Sequence, residues 1–226
     1  MSDAETAPTK LMLTRAHQTY RNAAGAKVPG VTTVLGMLAK PALIHWAWSC
    51  GKDGLDYDAV SGRAKNVGTV AHALIEAHLH GEAVDLSEVA PAVALQAQDG
   101  RTRFQEWWDA QGLTLIAAEH QMVSERMQVG GTADFIAQRP DGTSVLGDVK
   151  TSSRIYDEHC IQAAVYAAMA EELGGAPIDE VLVVRVGKEP GDQIEVRDVS
   201  NRAARVAAFQ KLAEAREALW ATGFRL

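Results

Sequence analysis

Apolar positions change their period along this chain, and the change separates a mostly helical first half from a second half that mixes strands and helices. From Lys65 to His80 the stripe Val70, Leu74 and Ala77 recurs at helical spacing, with Gly81 as a stop. A further helix is predicted over roughly Ala92 to Gln111, carrying Trp107 and Trp108. Upstream, Leu11 to Tyr20 reads as a short strand followed by a turn at Gly25 to Gly30. Thr32 and Thr33 are suited to cap a short helix, Val34 to Ala39, and Pro41 suits the first position of another, Ala42 to Cys50. The polar stretch Gly51 to Ser61 reads as a loop, open to a role as a lid.

Beyond Gly112 the period shortens. Leu113 to Val123 alternates, with Leu113, Leu115, Ala117 and Glu119 on one face. Strands Val129 to Gln138 and Ser144 to Thr151 flank the turn Arg139-Pro140-Asp141-Gly142. Asp157 is placed to cap a helix that runs to about Leu173 and ends at Gly174-Gly175. Strands Val181 to Val186 and Gln193 to Val199 follow, and Ser200 is placed to cap a last helix, Arg202 to Thr222. A helix between the third and fourth strands predicts that this pair is parallel. The expected fold class is therefore α/β, with residues 1–112 and 113–226 as two regions of one folded unit, since no Pro/Gly/Ser linker separates them.

Composition narrows the classes. The 226 residues, 47% of them hydrophobic, suffice for one sizeable core. Only Cys50 and Cys160 occur, which excludes a disulfide framework, a four-cysteine zinc site or a cysteine-ligated iron–sulfur cluster within one chain. The start of the chain has no apolar leader-like run, and no stretch approaches the ~18 apolar residues of a membrane span. A soluble protein of a reducing, cytoplasmic compartment with no membrane partner is expected. The net charge of -7 argues against a protein that coats nucleic acid electrostatically. It hides an asymmetry: residues 1–70 hold eight basic and five acidic side chains, residues 71–226 fourteen and twenty-four.

Asp148 and Lys150 in LGDVKTSS carry the sharpest chemical signal, because a period of two projects an acid and a base from the same face of a strand. Asp134, in GGTADFIA, lies on the preceding strand of the same hairpin. Two close carboxylates repel unless a cation neutralises them, and oxygen ligands favour a hard divalent ion such as Mg²⁺ or Mn²⁺. Glu119, a carboxylate on an otherwise apolar face, is a candidate third acidic group. His72 and Glu76, four apart on a helix, could bring in an imidazole, which tilts the preference toward manganese. Gln162 and Tyr166, also four apart on a helix, could orient a phosphate or water.

The series GTVAH (Gly68 to His72), Glu119, GGTAD (Gly130 to Asp134), DVK (Asp148 to Lys150) and QAAVY (Gln162 to Tyr166) resembles the PD-(D/E)xK nuclease superfamily, and within it the RecB-like exonuclease branch. The stretch Val28 to Gly51 is similar to the opening of bacteriophage exonucleases of this branch and of the mitochondrial genome maintenance exonuclease. The resemblance implies a restriction-endonuclease-like core, a mixed sheet flanked by helices, preceded by a mostly helical region. It implies Mg²⁺ or Mn²⁺ held by Asp134, Asp148, the Val149 carbonyl and His72, with Glu119 supporting it. Lys150 would position or activate the attacking water, with Gln162 and Tyr166 beside the substrate strand. DNA, single-stranded or at a duplex end, is the implied partner, with a single-strand annealing protein as a further one, in phage or bacterial recombination or repair. Ala133 stands where the motif has proline, and Gly30 where serine is expected.

Other readings stay open on the residues alone: a structure-specific endonuclease, a catalytically silent DNA- or protein-binding module, or a metallohydrolase of small phosphorylated substrates. Lys27, Lys40, Lys52, Arg63 and Lys65 are candidates for phosphate contacts in the basic first region. Trp46, Trp48, Trp107 and Trp108 are candidates for base stacking or, more simply, for core packing.

Overall fold

A four-residue turn sets the register of the central hairpin. Gly142 N–H donates to the Arg139 carbonyl and Arg139 N–H to the Thr143 carbonyl, both at 2.9 Å, while the Asp141 side chain accepts from Thr143 N–H at 3.0 Å. The Arg139 guanidinium then reaches Glu180 Oε2 at 2.8 Å and Gln111 Oε1 at 2.8 Å, tying the turn to the next strand and to the helix before the sheet.

The computed structural model describes residues 9–10, 18–189 and 191–224. Elements run β1 (Thr9–Lys10), β2 (Tyr20–Arg21), β3 (Lys27–Val28), α1 (Val31–Leu35), α2 (Pro41–Lys52), α3 (Tyr57–His80), β4 (Val84–Asp85), α4 (Pro91–Gln111), β5 (Thr114–Ser124), β6 (Val129–Gln138), β7 (Ser144–Lys150), α5 (Asp157–Glu172), β8 (Glu180–Arg185), β9 (Glu195–Asp198) and α6 (Arg202–Ala221). Strands β5 to β9 form one five-stranded sheet in sequential order. It is mixed: β7 and β8, joined through α5, are parallel, and the other pairs are antiparallel. The α/β expectation and the parallel third and fourth strands hold.

Both faces of the sheet are covered. On one, α1, α5 and α6 bury Val34, Ala163, Met169 and Phe209 against Met122, Leu146 and Val183. On the other, α3 and α4 bury Ile75, Phe104, Trp107 and Trp108 against Phe135, Val145, Val149 and Val184. Phe135 meets Phe104, Trp107 and Trp108 at ring-centroid distances of 6.0, 6.2 and 5.2 Å. Truncating it to alanine should cost about 3–5 kcal/mol. Trp107 and Trp108 are thus core residues, and Cys50 and Cys160 are buried free thiols. No helix among the described residues is long and apolar enough to cross a membrane.

Several local expectations need correction. The stretch from Gly51 to Ser61 is largely helical, because the Asp56 side chain accepts from Asp58 N–H and Ala59 N–H at 2.8 and 3.2 Å and so starts α3 early. Only a short turn separates α2 from α3, which removes the loop that a lid would need. Helix α1 begins at Val31 with Gly30 as its N-cap, so Thr32 and Thr33 lie inside it. Tyr156, not Asp157, precedes α5, and Asn201, not Ser200, precedes α6. The expected strand from Leu11 lies outside the described residues except near Tyr20, where β2 pairs with β3.

Candidate metal centre

The centre forms where two strands part. Strand β6 pairs with β7 only from Gln138↔Ser144 to Phe135↔Gly147. Past that point β6 stays with β5 as far as Ser124↔Val129, and β7 stays with β8 as far as Lys150↔Arg185. A wedge therefore opens between Asp134 and Asp148, which sit opposite each other one step beyond the last pair. The Asp134 side chain fills part of it: Oδ2 accepts from Val149 N–H at 2.6 Å, replacing a ladder bond the diverging strand cannot make. Lys150 carbonyl accepts from Val186 N–H on the β8 side, so strand alternation turns the Val149 carbonyl toward the wedge.

Helix α3 delivers His72 from above. Its Nδ1 lies 3.4 Å from Asp134 Oδ1. Glu119 completes this corner, and His72, Glu119 and Asp134 each offer a ligand atom within 4.8 Å of the others. Glu119 does not arrive by simple alternation. The β5–β6 register shifts between Leu115 and Ala117, and Glu119 itself has a φ of 46°, a left-handed value that is rare outside glycine. The face shared by Leu113, Leu115, Ala117 and Glu119 is thus interrupted, yet the carboxylate still joins the site. Glu76, one turn along α3, is not part of this group.

On the other side of the wedge, Asp148 is 2% exposed and its Oδ2 lies 2.7 Å from Lys150 Nζ. The contact is an ion pair off the angle of a hydrogen bond, which leaves that buried oxygen without a hydrogen-bond donor. Lys150 Nζ donates to Gln162 Oε1 at 3.1 Å, and Gln162 Nε2 donates to the Tyr166 hydroxyl at 2.8 Å. The Tyr166 ring lies against Gly131, where any Cβ would collide with it. The α5 pair expected to flank the site thus forms a chain of contacts ending on the lysine.

Electrostatics follow from this crowding. Burial works against the charged form of Asp134, but His72, Lys150 and the Val149 N–H outweigh it and hold its proton affinity below the ordinary carboxylate range. His72 shows the mirror image: burial opposes the imidazolium, and Asp134 more than offsets it, so its pKa is raised. Burial pushes Asp148 up to about 6, with Lys150 pulling it down and Asp134 adding a like-charge push. Burial and then Asp148 raise Tyr166, so its hydroxyl stays protonated.

The wedge opens into a cleft of about 1230 Å³. Arg63 and Lys65 line it, whereas Lys40 is paired with Glu158 at 2.9 Å and Lys52 lies over the Trp48 ring at 5.4 Å. Trp46 lines the cleft and packs edge-on against Tyr57, with centroids 5.3 Å apart. Tyr57, Tyr156 and Lys188 are cleft residues without a motif to announce them. His159, unassigned by any motif, accepts from Tyr156 N–H at 3.2 Å to cap α5, with burial and then Lys150 pushing its pKa down to about 4.

The donor set fits a hard divalent cation. Glu119, Asp134 and His72 offer ligand atoms within 4.8 Å of one another, Asp148 faces Asp134 across the wedge, and one buried Asp148 oxygen lacks a hydrogen-bond donor. No family model matches the chain, and no curated protein sequence does. Among solved structures it is similar to a candidate exonuclease from Eubacterium rectale, with a TM-score of 0.46 and 13% identity over 70% of this chain and 68% of that one. It is also similar to SSO0001, with a TM-score of 0.37 and 17% identity over 68% and 72% of the two chains. A third likeness is to DrdV in its complex with DNA, with a TM-score of 0.22 and 14% identity over 63% of this chain and 13% of that one.

Proposed function

We propose that this protein is a metal-dependent DNA exonuclease of the RecB-like type, acting in phage or bacterial recombination or repair. The observation that carries the reading is the wedge between β6 and β7, where Asp134, Asp148 and Lys150 converge under His72. Mg²⁺ or Mn²⁺ would be held by Asp134, Asp148, Glu119, His72 and the Val149 carbonyl. When bound, the cation supplies Lewis acidity toward a phosphate oxygen and offsets charge building on phosphorus. The region 1–112 contributes the imidazole, and 113–226 the carboxylates and the lysine.

Lys150 positions the attacking water. Asp148 pairs with its ammonium, and the Gln162 amide fixes its direction. Tyr166 in turn fixes the amide: its hydroxyl accepts from Nε2 and so leaves Oε1 turned toward the lysine. Arg63 and Lys65 provide positive charge at the cleft, which accounts for DNA binding by a chain whose net charge is -7. Circular and linear DNA of one sequence, each incubated with Mg²⁺ or Mn²⁺, test the mode of attack. Degradation of the linear form alone is expected, and nicking of closed circles at a similar rate would replace the exonuclease by an endonuclease.

A further inference from the structure

The turn between β8 and β9 inserts Lys188 into the wall of the cleft. The turn is tightly built. Asp192 Oδ2 accepts from Lys188 N–H and Glu189 N–H, both at 3.0 Å, and Gly187 takes a φ of 66° where any Cβ would collide with Asp192. Arg185 Nη1 lies 3.5 Å from the same Asp192 oxygen and balances its charge. The Lys188 side chain crosses to α3 and donates to the Ala64 carbonyl at 3.3 Å. Among the described residues, no carboxylate lies within ion-pair distance of this ammonium. Burial lowers its pKa, only partly offset by Glu189, so the charge is held where water solvates it poorly.

Its position along α3 gives the charge a meaning. Ala64, Gly68 and His72 follow one another at four-residue spacing on one face of the helix. At 1.5 Å per residue, Ala64 lies about 12 Å from His72 along the axis. A stacked strand rises ~3.4 Å per nucleotide, so on a strand running along α3 the Lys188 ammonium sits about three to four nucleotide steps from the metal centre. We propose that Lys188 binds a backbone phosphate of the substrate strand about three to four nucleotides from the scissile bond, held there by the Asp192-braced turn. This subsite rests on the nuclease reading of the same cleft.

Lys188→Gln and Lys188→Arg test it, assayed on single-stranded oligonucleotides of increasing length with Mn²⁺. For long substrates Lys188→Gln should raise KM about fivefold to tenfold with kcat unchanged. The slope of log kcat/KM against log salt should become shallower by about 0.7, one phosphate contact. Lys188→Arg should recover most of both, and a dinucleotide, too short to reach the turn, should be turned over equally by all three proteins. An unchanged KM and salt slope in Lys188→Gln, or a fall confined to kcat, would overturn the subsite and leave the nuclease reading standing. A wild-type protein that cleaves no oligonucleotide with any metal would overturn both.

Discussion

Asp134 Oδ2 accepts the Val149 backbone N–H at 2.6 Å while its Oδ1 faces His72 Nδ1 at 3.4 Å. One carboxylate therefore both seals the split in the sheet and forms a corner of the candidate metal centre. The two roles separate by substitution. Asp134→Asn keeps an acceptor for Val149 and loses the charge, whereas Asp134→Ala strands a buried N–H at a cost of about 1–3 kcal/mol. Thermal unfolding should place the alanine variant several degrees below the asparagine variant, while isothermal titration finds Mn²⁺ affinity lost in both. Equal melting temperatures would show that the Val149 bond carries no stability.

The pH dependence centres on Asp148. Its folded pKa of about 6 lies above the ordinary carboxylate value, so between about 4 and 6 the folded chain holds a proton that the unfolded chain has released. For this group, the metal-free protein is most stable below about 4 and loses stability as pH rises through 6. A bound cation reverses the trend by favouring the ionised carboxylate. The gap in melting temperature between Mn²⁺-loaded and metal-free protein should widen as pH rises from 5 to 7, and Asp148→Asn should lessen that widening, the remainder coming from the His72 imidazolium, which must also shed its proton to bind the cation. A gap independent of pH in the wild type would contradict the assignment of Asp148 as a ligand.

Tyr166 acts through Gln162 on Lys150, and removing its hydroxyl tests that chain. Tyr166→Phe leaves the Gln162 amide without its acceptor and frees it to turn away from the lysine. Turnover should fall about 10–100-fold with Mn²⁺ affinity unchanged. A parallel loss of metal affinity would instead place Tyr166 in support of the ligands.

Gly131 lets the Tyr166 ring lie against β6, and Gly131→Ala puts a methyl into that ring. Overpacking of this kind costs about 1–3 kcal/mol. Denaturant unfolding should show that loss together with a fall in activity like that of Tyr166→Phe. Unaltered stability would mean that the ring shifts freely and has no fixed place in the site.

Much of the centre was legible because its spacing is periodic. Asp148 and Lys150 share a face at a period of two, and Gln162 and Tyr166 share one at four, and these regularities survive folding. What was hidden depends on departures from period. The wedge arises from where β6 stops pairing with β7, and nothing in Ala133 or Gly147 alone announces that point. Glu119 was placed at the site by an alternation that the chain in fact breaks between Leu115 and Ala117 and again at the left-handed Glu119. Polar composition suggested a loop from Gly51 to Ser61, but one capping carboxylate, Asp56, is enough to begin a helix there. Lys188 and Tyr156 enter the cleft from turns, whose direction no local pattern encodes.

In the proposed function, the carboxylates at the β6–β7 split and Lys150 together hydrolyse phosphodiester bonds with a divalent cation. Labelled single- and double-stranded DNA, incubated with Mn²⁺, Mg²⁺ or EDTA beside Asp148→Asn and Lys150→Ala, tests it most directly. The wild type should release labelled products with either metal and none with EDTA, and Lys150→Ala should fall at least about 100-fold, with Asp148→Asn as low. Equal degradation by wild type and both variants, or none by the wild type with either metal, would show that these residues do not carry out metal-dependent hydrolysis.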